Sequence, residues 1–285
     1  MTRPPPTPAD DERAHGPRDR RGGMPPVIVT IDGPAGTGKS SVAGKLAQRL
    51  ELEFLDTGAM YRAAALLSIE RAVSPDDGRG VAAAVRAARL RFAWGSARPS
   101  LVIAGPGGVD RDISERIREL DVSAVVSIVA GCPEVRAVMV AEQRRIAAEH
   151  PRLVTEGRDQ GSVVFPDAAV RFFLDADPAV RAARRLAQLE SAGKSVDAEA
   201  VVDDISRRDR LDASRAEGPL VRPAGAIEVD TTRLTLDEVV DRLETIVRDV
   251  LPAEALAWAS LRRDAGPGGP PLGAVGGVRS AGTAR

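Results

Sequence analysis

At 285 residues, 43% of them hydrophobic, the chain is long enough to bury a sizeable core, in one α/β domain or in one domain with inserts. A net charge of −1 supplies no global field toward nucleic acid or a membrane surface. One cysteine, Cys132, and two histidines, His15 and His150, exclude a disulfide framework and a Cys/His metal centre.

Residues 1–24, rich in Pro, Arg and Asp and without periodicity, read as a disordered leader. A first strand at about 26–31 ends in Asp32. It leads into Gly33-Pro34-Ala35-Gly36-Thr37-Gly38-Lys39-Ser40, and apolar residues at helical spacing follow to about residue 50. This order of buried strand, glycine loop and helix start is what phosphate binding requires. Glycines let successive backbone N–H groups turn inward, and the helix N-terminus adds partial positive charge. The pattern G-x-x-x-x-G-K-[ST] is complete. It assigns residues 33–41, Ser41 included, to the phosphates of ATP, Lys39 to the β- and γ-phosphates, and the Ser40 hydroxyl to Mg²⁺.

A short strand at Phe54-Leu55 precedes a helix capped by Asp56 or Thr57 and running through Ile69, and a further helix spans Asp76 to Arg89. Three short alternating stretches follow: Leu90–Trp94, Ser100–Ala104 and Gly108–Asp110. They are too close together for parallel crossovers and read as a small antiparallel insert at about 90–110. Helices are expected at about 113–130 and 133–148, with His150 ending the second. Strands follow at Leu153–Thr155 and Val170–Leu174. A helix then opens at Asp177-Pro178 and carries Arg181, Arg184 and Arg185 on one side, and another spans about 197–215. A last strand at Ala226–Asp230 and a helix at Leu236–Val250 close the domain. The stretch 253–285 is rich in Ala, Gly and Pro and reads as a flexible tail.

Strands alternating with helices predict an α/β fold of the P-loop NTPase kind, a parallel sheet flanked by helices. Ligands gather at the carboxyl ends of such strands, where the glycine loop, Asp56–Arg62 and Glu156–Asp159 all fall. Arginines converging beside a phosphate loop imply a second phosphorylated substrate. A phosphate monoester acceptor is largely ionised near pH 7, with a second pKa of about 6, so no general base is needed. No apolar run reaches membrane-spanning length, and the N-terminus has no apolar signal core; a soluble cytoplasmic protein is expected. Three alternatives stand beside a nucleotide kinase. A regulatory GTPase needs an Asn-Lys-x-Asp motif, and the sequence contains no asparagine. An RNA-binding protein fits poorly with 3% aromatic residues. A kinase of the same fold acting on UMP, AMP or a small alcohol stays open, since Asp56 or Asp159 can serve an alcohol as general base.

Five stretches together resemble the bacterial cytidylate kinases: Ile31–Ser40, Leu55–Arg62, Glu156–Ala168, Phe173–Ala176 and Arg207–Arg215. The resemblance spans about 25–250 with the motifs in the same order. It implies transfer of phosphate from ATP to CMP or dCMP. By position it implies that Arg62, Arg158 and Arg215 hold the acceptor phosphate, that Ser127, Arg136 and Asp159 read cytosine, and that Arg208 and Asp212 lie near the pentose. Thr57 and Tyr61 would wall the acceptor site. It further implies that the insert enlarges that site, and that residues 178–215, with Arg184, Arg185 and Lys194, form a lid over ATP. Lys39, Arg158, Arg184 and Arg208 are then the catalytic set, in a domain over 25–252. A monomer is expected, without a nucleic-acid or membrane partner.

Overall fold

The structure, a computed structural model, describes residues 26–94, 99–105 and 109–256. The leader, Gly108 and all but the first four residues of the expected tail lie outside the described residues. Contacts group Val27–Leu251 into one unit.

Strand β1 (Val27–Asp32) is almost wholly buried, as its near-continuous apolar run demands of a central parallel strand. It delivers the glycine loop to helix α1 (Lys39–Leu50). Strand β2 (Glu53–Asp56) passes directly into α2 (Thr57–Glu70), with Asp56 as the N-cap: its carboxylate accepts from the Ala59 N–H at 2.8 Å. Helix α2 is apolar nearly all round and is correspondingly buried on most of its circumference. Helix α3 (Gly78–Ala88) follows, capped by Asp77.

The insert is a three-stranded antiparallel sheet of β3 (Arg91–Ala93), β4 (Ser100–Ala104) and β5 (Asp110–Asp112), in that order. Its third strand begins two residues later than the sequence suggests. Leu101 and Ile103, alternating along β4, are buried in the same core as Leu66 and Leu67 of α2 and Val81 of α3. The helix expected at 113–130 is broken. A 3₁₀ turn at Arg116–Arg118 is followed by extended backbone at Glu119 (ψ 160°), and α4 (Leu120–Val129) starts afresh. Helix α5 (Pro133–Glu149) has proline in its first turn and ends at His150, which shares a 2.9 Å contact with Glu53 through Nδ1.

Strand β6 (Arg152–Gly157) is buried along its whole length. A π-turn at Gln160–Val164, which nothing in the periodicity signals, leads to β7 (Val170–Asp175). Helices α6 (Pro178–Ser191) and α7 (Ala198–Ala213) then pack through a small core of Ala182, Leu189, Val201 and Ile205. Strand β8 (Ile227–Asp230) and α8 (Leu236–Val250) complete the unit, α8 opening with a Thr235/Glu238 capping box. One helical turn, α9 (Ala253–Leu256), ends the described residues. The main sheet runs β2-β6-β1-β7-β8, every pairing parallel. It sets the carboxyl ends of β1, β2 and β6 side by side, with Asp32 opposite Gly157 and Asp56 opposite Glu156. Among the described residues no single helix is long and apolar enough to cross a membrane.

Candidate active site

The glycine loop is locked by its surroundings. Gly33 has φ 148°, and a Cβ there would lie 2.0 Å from the Leu174 carbonyl oxygen, so only glycine lets β7 pass. The Asp32 carboxylate, just before it, accepts from the backbone N–H groups of Gln160 (2.8 Å) and Gly161 (2.7 Å). This ties the loop's entry to the π-turn. Burial pushes Asp32 up to about 6 against those two donors. Gly38 caps α1 without any side-chain hydrogen bond, so the first-turn N–H donors have no side-chain cap and suit an anion.

Lys39 is 5% exposed and folds over the loop. Its ammonium donates to the Pro34 carbonyl at 2.6 Å and to Thr37 Oγ1 at 3.3 Å. Burial, then the nearby Arg158 guanidinium, pulls its pKa down to about 7, with Glu156 and Asp212 opposing. The Ser40 hydroxyl donates to Glu156 Oε1 at 2.7 Å. Asp56 stands near Glu156 and is pushed up to about 6 by burial and then by that carboxylate. A hydroxyl and two carboxylates make the hard-oxygen surroundings that Mg²⁺ takes beside phosphate. Among the described residues no group of three or more His, Cys, Asp or Glu is placed to hold a metal ion by itself. Ser41 points to the exposed side of α1.

A second hollow adjoins the first. Arg158, at the end of β6, donates from Nε to Asp212 at 2.7 Å, and Arg215 donates to the other oxygen of the same carboxylate. Burial works against the Asp212 charge, yet Arg158 and Arg215 hold its pKa below the ordinary range. Arg62, from α2, donates to Ser123 Oγ at 2.8 Å. Burial first, then Arg208 and Arg185, push its pKa down to about 10. The Nε atoms of Arg208 and Arg215 are buried without a hydrogen-bond partner. Two of these clustered guanidinium groups thus retain an unused donor, which suits an anionic ligand.

Beyond the arginines, Arg136 of α5 pairs with Asp159; their side chains are 3% and 4% exposed. The Arg136 guanidinium lies 5.9 Å over the Tyr61 ring. Burial pushes the Tyr61 phenol up to about 12, so it stays neutral. Ser127 is buried on α4, and Thr57 donates to the Glu156 carbonyl at 2.6 Å. A Cβ on Gly218 would come within 2.4 Å of Asp159 Oδ2, so the 216–220 segment closes against the Arg136–Asp159 pair.

The three arginines expected to share one side of α6 part company. Arg181, in its first turn, is buried against the glycine loop, with Nη1 3.0 Å from the Ala35 carbonyl. Arg184 instead donates to Thr231 Oγ1 (3.0 Å) and to the carbonyls of Thr231 (2.6 Å) and Leu234 (3.2 Å), after β8. Arg185 donates to Gln188 at 2.8 Å. Helical spacing gives a common side, but each turn of α6 meets a different loop at the sheet's carboxyl edge. Lys194 reaches the Arg118 carbonyl at 3.2 Å. Glu156, Asp32, Arg181, Ser123 and Asp209 all shape the site without having been assigned roles from the sequence. The first two sit at strand ends, a detectable signal; the others are revealed only by tertiary contacts.

A glycine loop on the central parallel strand, beside clustered arginines from α2, β6 and α7, is the arrangement of a phosphotransferase of the nucleotide-kinase class. The chain belongs to the cytidylate kinase family, whose sequence profile, described as "Cytidylate kinase", matches residues 29–249. It is 45% identical over 222 residues to a cytidylate kinase of Nocardia farcinica, covering 78% of this chain and 94% of the relative. Against the cytidylate kinases of Rhodococcus jostii and Corynebacterium glutamicum it is 43% identical over 224 and 221 residues. Each match covers 78% of this chain, and 95% and 94% of those relatives.

Proposed function

We propose that this chain transfers the γ-phosphoryl group of ATP to CMP or dCMP, giving ADP and CDP or dCDP. A phosphate oxygen of the acceptor forms a bond to the γ-phosphorus as the bond to the β,γ-bridging oxygen breaks, and ADP leaves with that electron pair. The acceptor oxygen is already ionised near neutral pH, since a phosphate monoester has a second pKa of about 6, so the residues position and neutralise. Residues 33–41 hold the triphosphate, with Lys39 on the β- and γ-phosphates. The Ser40 hydroxyl, beside Glu156, would hold Mg²⁺ together with phosphates and water, and the ion would supply neutralisation of phosphate charge there.

Arg62, Arg158, Arg208 and Arg215 receive the acceptor phosphate and pentose, Asp212 orienting two of them. Asp159 and Arg136 offer a carboxylate for the cytosine N4 amino group and a guanidinium for N3 and O2, with Ser127, Thr57 and Tyr61 as walls. Residues of the α6–α7 hairpin cover the donor side and exclude water, so that transfer outcompetes hydrolysis. In this arrangement Arg181, not Arg184, is the α6 arginine at the loop. A cytoplasmic monomer acting on small molecules, with no nucleic-acid or membrane partner, belongs to the same proposal.

The observation that carries the reading is the buried Arg136–Asp159 pair beside an arginine cluster that keeps two buried guanidinium nitrogens unpartnered. The test is ADP release by the full chain with ATP, Mg²⁺ and, separately, CMP, dCMP, UMP, AMP or shikimate. Turnover confined to CMP and dCMP is expected. Equal turnover with UMP or AMP would remove the base-reading role of Asp159 and Arg136. ADP release without an acceptor would mark an ATPase.

A further inference from the structure

One residue of the glycine loop, Ala35, is gripped through both of its backbone polar groups. The Ala35 N–H donates to Asp209 Oδ1 at 3.2 Å, and the Ala35 carbonyl accepts from Arg181 Nη1 at 3.0 Å. Arg181 also donates to Asp209 Oδ2 and, from Nε, to the Ala176 carbonyl at 3.1 Å. Backbone closeness reinforces the grip: a Cβ on Gly36 would lie 2.9 Å from the Arg181 carbonyl oxygen. Arg181 is 7% exposed, and the Asp209 side chain 23%. Charge makes the arrangement tolerable beside a loop that receives a polyanion. An unpaired carboxylate would repel the triphosphate, whereas Asp209 bonded to Arg181 presents a neutral pair.

Asp209 lies on α7 between Arg208 and Asp212. The helix that carries the proposed acceptor residues is therefore hydrogen-bonded to the donor loop through one side chain. We propose that Asp209 is a positioning residue that latches α7 to the glycine loop, so that filling the donor site orders the acceptor site and the reverse. This rests on the cytidylate kinase reading above. Ordering the Ala35 peptide with nucleotide fixes Asp209. Fixing Asp209 holds α7 in the register at which Arg208 and Asp212 meet the acceptor. The second ligand then finds part of its ordering already done. Linkage makes the effect reciprocal.

The test is calorimetric titration of CMP into the full chain, alone and saturated with Mg²⁺ and a non-hydrolysable ATP analogue. The wild-type chain binds CMP about fivefold or more tightly with the analogue present, the lower end of ordinary coupling. Asp209→Asn keeps size and one acceptor but loses the ion pair with Arg181. It brings that ratio to within about twofold of unity while leaving the affinity for CMP alone within about twofold of wild type, against coupling factors of the size just given. Asp209→Glu restores part of the ratio, and Arg181→Gln lowers it as Asp209→Asn does. Asp203→Asn, on the same helix but exposed, leaves it unchanged.

A retained ratio in Asp209→Asn overturns the latch. So does a loss of CMP affinity without the analogue, accompanied by a lower melting temperature, because a merely structural residue behaves that way. A wild-type chain that phosphorylates CMP but shows no ratio overturns the latch alone. A wild-type chain that does not phosphorylate CMP overturns the functional reading and the latch with it.

Discussion

The donor loop and the acceptor hollow are both suited to phosphate, but they are built by different means. The loop is one contiguous stretch, Gly33 to Ser40, using backbone donors, a helix start and a single ammonium. Its side chains bond within the loop and to Glu156, and its Ala35 backbone bonds to Asp209 and Arg181. The hollow draws side chains from α2, α5, the end of β6, α7 and the segment following α7. It is held by pairs both distant in sequence, as Arg158–Asp212 and Arg136–Asp159, and local, as Arg215–Asp212, and it leaves two guanidinium nitrogens unused. A backbone site takes its shape from chain conformation, here held at Ala35 by Asp209 and Arg181. A side-chain site takes its shape from ion pairs, here those of Arg158 and Arg215 with Asp212. The loop is thus suited to a group common to all nucleoside triphosphates, and the hollow to one acceptor among several.

The largest expected effect falls on the loop. Lys39→Ala should lower kcat on the order of 10²–10³-fold, the loss typical of removing one charge-stabilising donor. Thermal melting should be unchanged, because the Lys39 hydrogen bonds run only to Pro34 and Thr37 within the loop. ADP-release kinetics and a circular-dichroism melt check both; retained turnover would break the comparison at its donor end. The next effect separates the two regions. Asp159→Asn replaces an acceptor for the cytosine amino group with an amide that also donates, and so suits the O4 of uracil. The CMP:UMP ratio of kcat/KM should fall about tenfold, equivalent to one base contact, while KM for ATP stays put. An equal loss for both acceptors would erase the distinction.

The smallest effect is a pH dependence. Lys39 titrates in the free protein near 7 instead of 10.5, so its ammonium is lost as pH rises through 7. Bound triphosphate favours the charged form. Hence kcat/KM for ATP, which reports free enzyme, should fall about fivefold between pH 7 and 8, while kcat stays flat. A coincident fall in kcat would mean that bound phosphates do not face Lys39.

The same contrast governs what was legible in the sequence. The loop was readable because strand, glycines and helix lie consecutively, and its physics is local. The parallel sheet and the insert followed from strand spacing. Strand ends place Arg62 and Arg158 beside the loop, but the separate roles of the arginines follow only from resemblance, since nothing in their local pattern brings Arg62 to Arg208. The α6 arginines mark the limit. Spacing of three and four residues puts Arg181 and Arg184 on one side of a helix, but not at one target, and Arg184 turned to Thr231 and Leu234. The break at Glu119 escaped for a similar reason. A 3₁₀ turn and an α-helix share apolar spacing over so few residues, and only the extended backbone between them separates the two.

The sheet order has a consequence for the chain as it is made. Strand β1 and its loop are synthesised first, yet their neighbours are β6 and β7, with Val27 beside Arg152 and Val29 beside Val170. At ribosomal speed, roughly ten seconds pass between the emergence of the loop and that of the strands that flank it. For that interval β1 is an apolar segment with both edges open, and the Leu174 carbonyl that crowds Gly33 has not been made. The nascent chain therefore carries its most conspicuous motif before the strands that flank and shape it exist. The interval also exposes a sticky strand to its surroundings until the second half of the domain arrives to cover it.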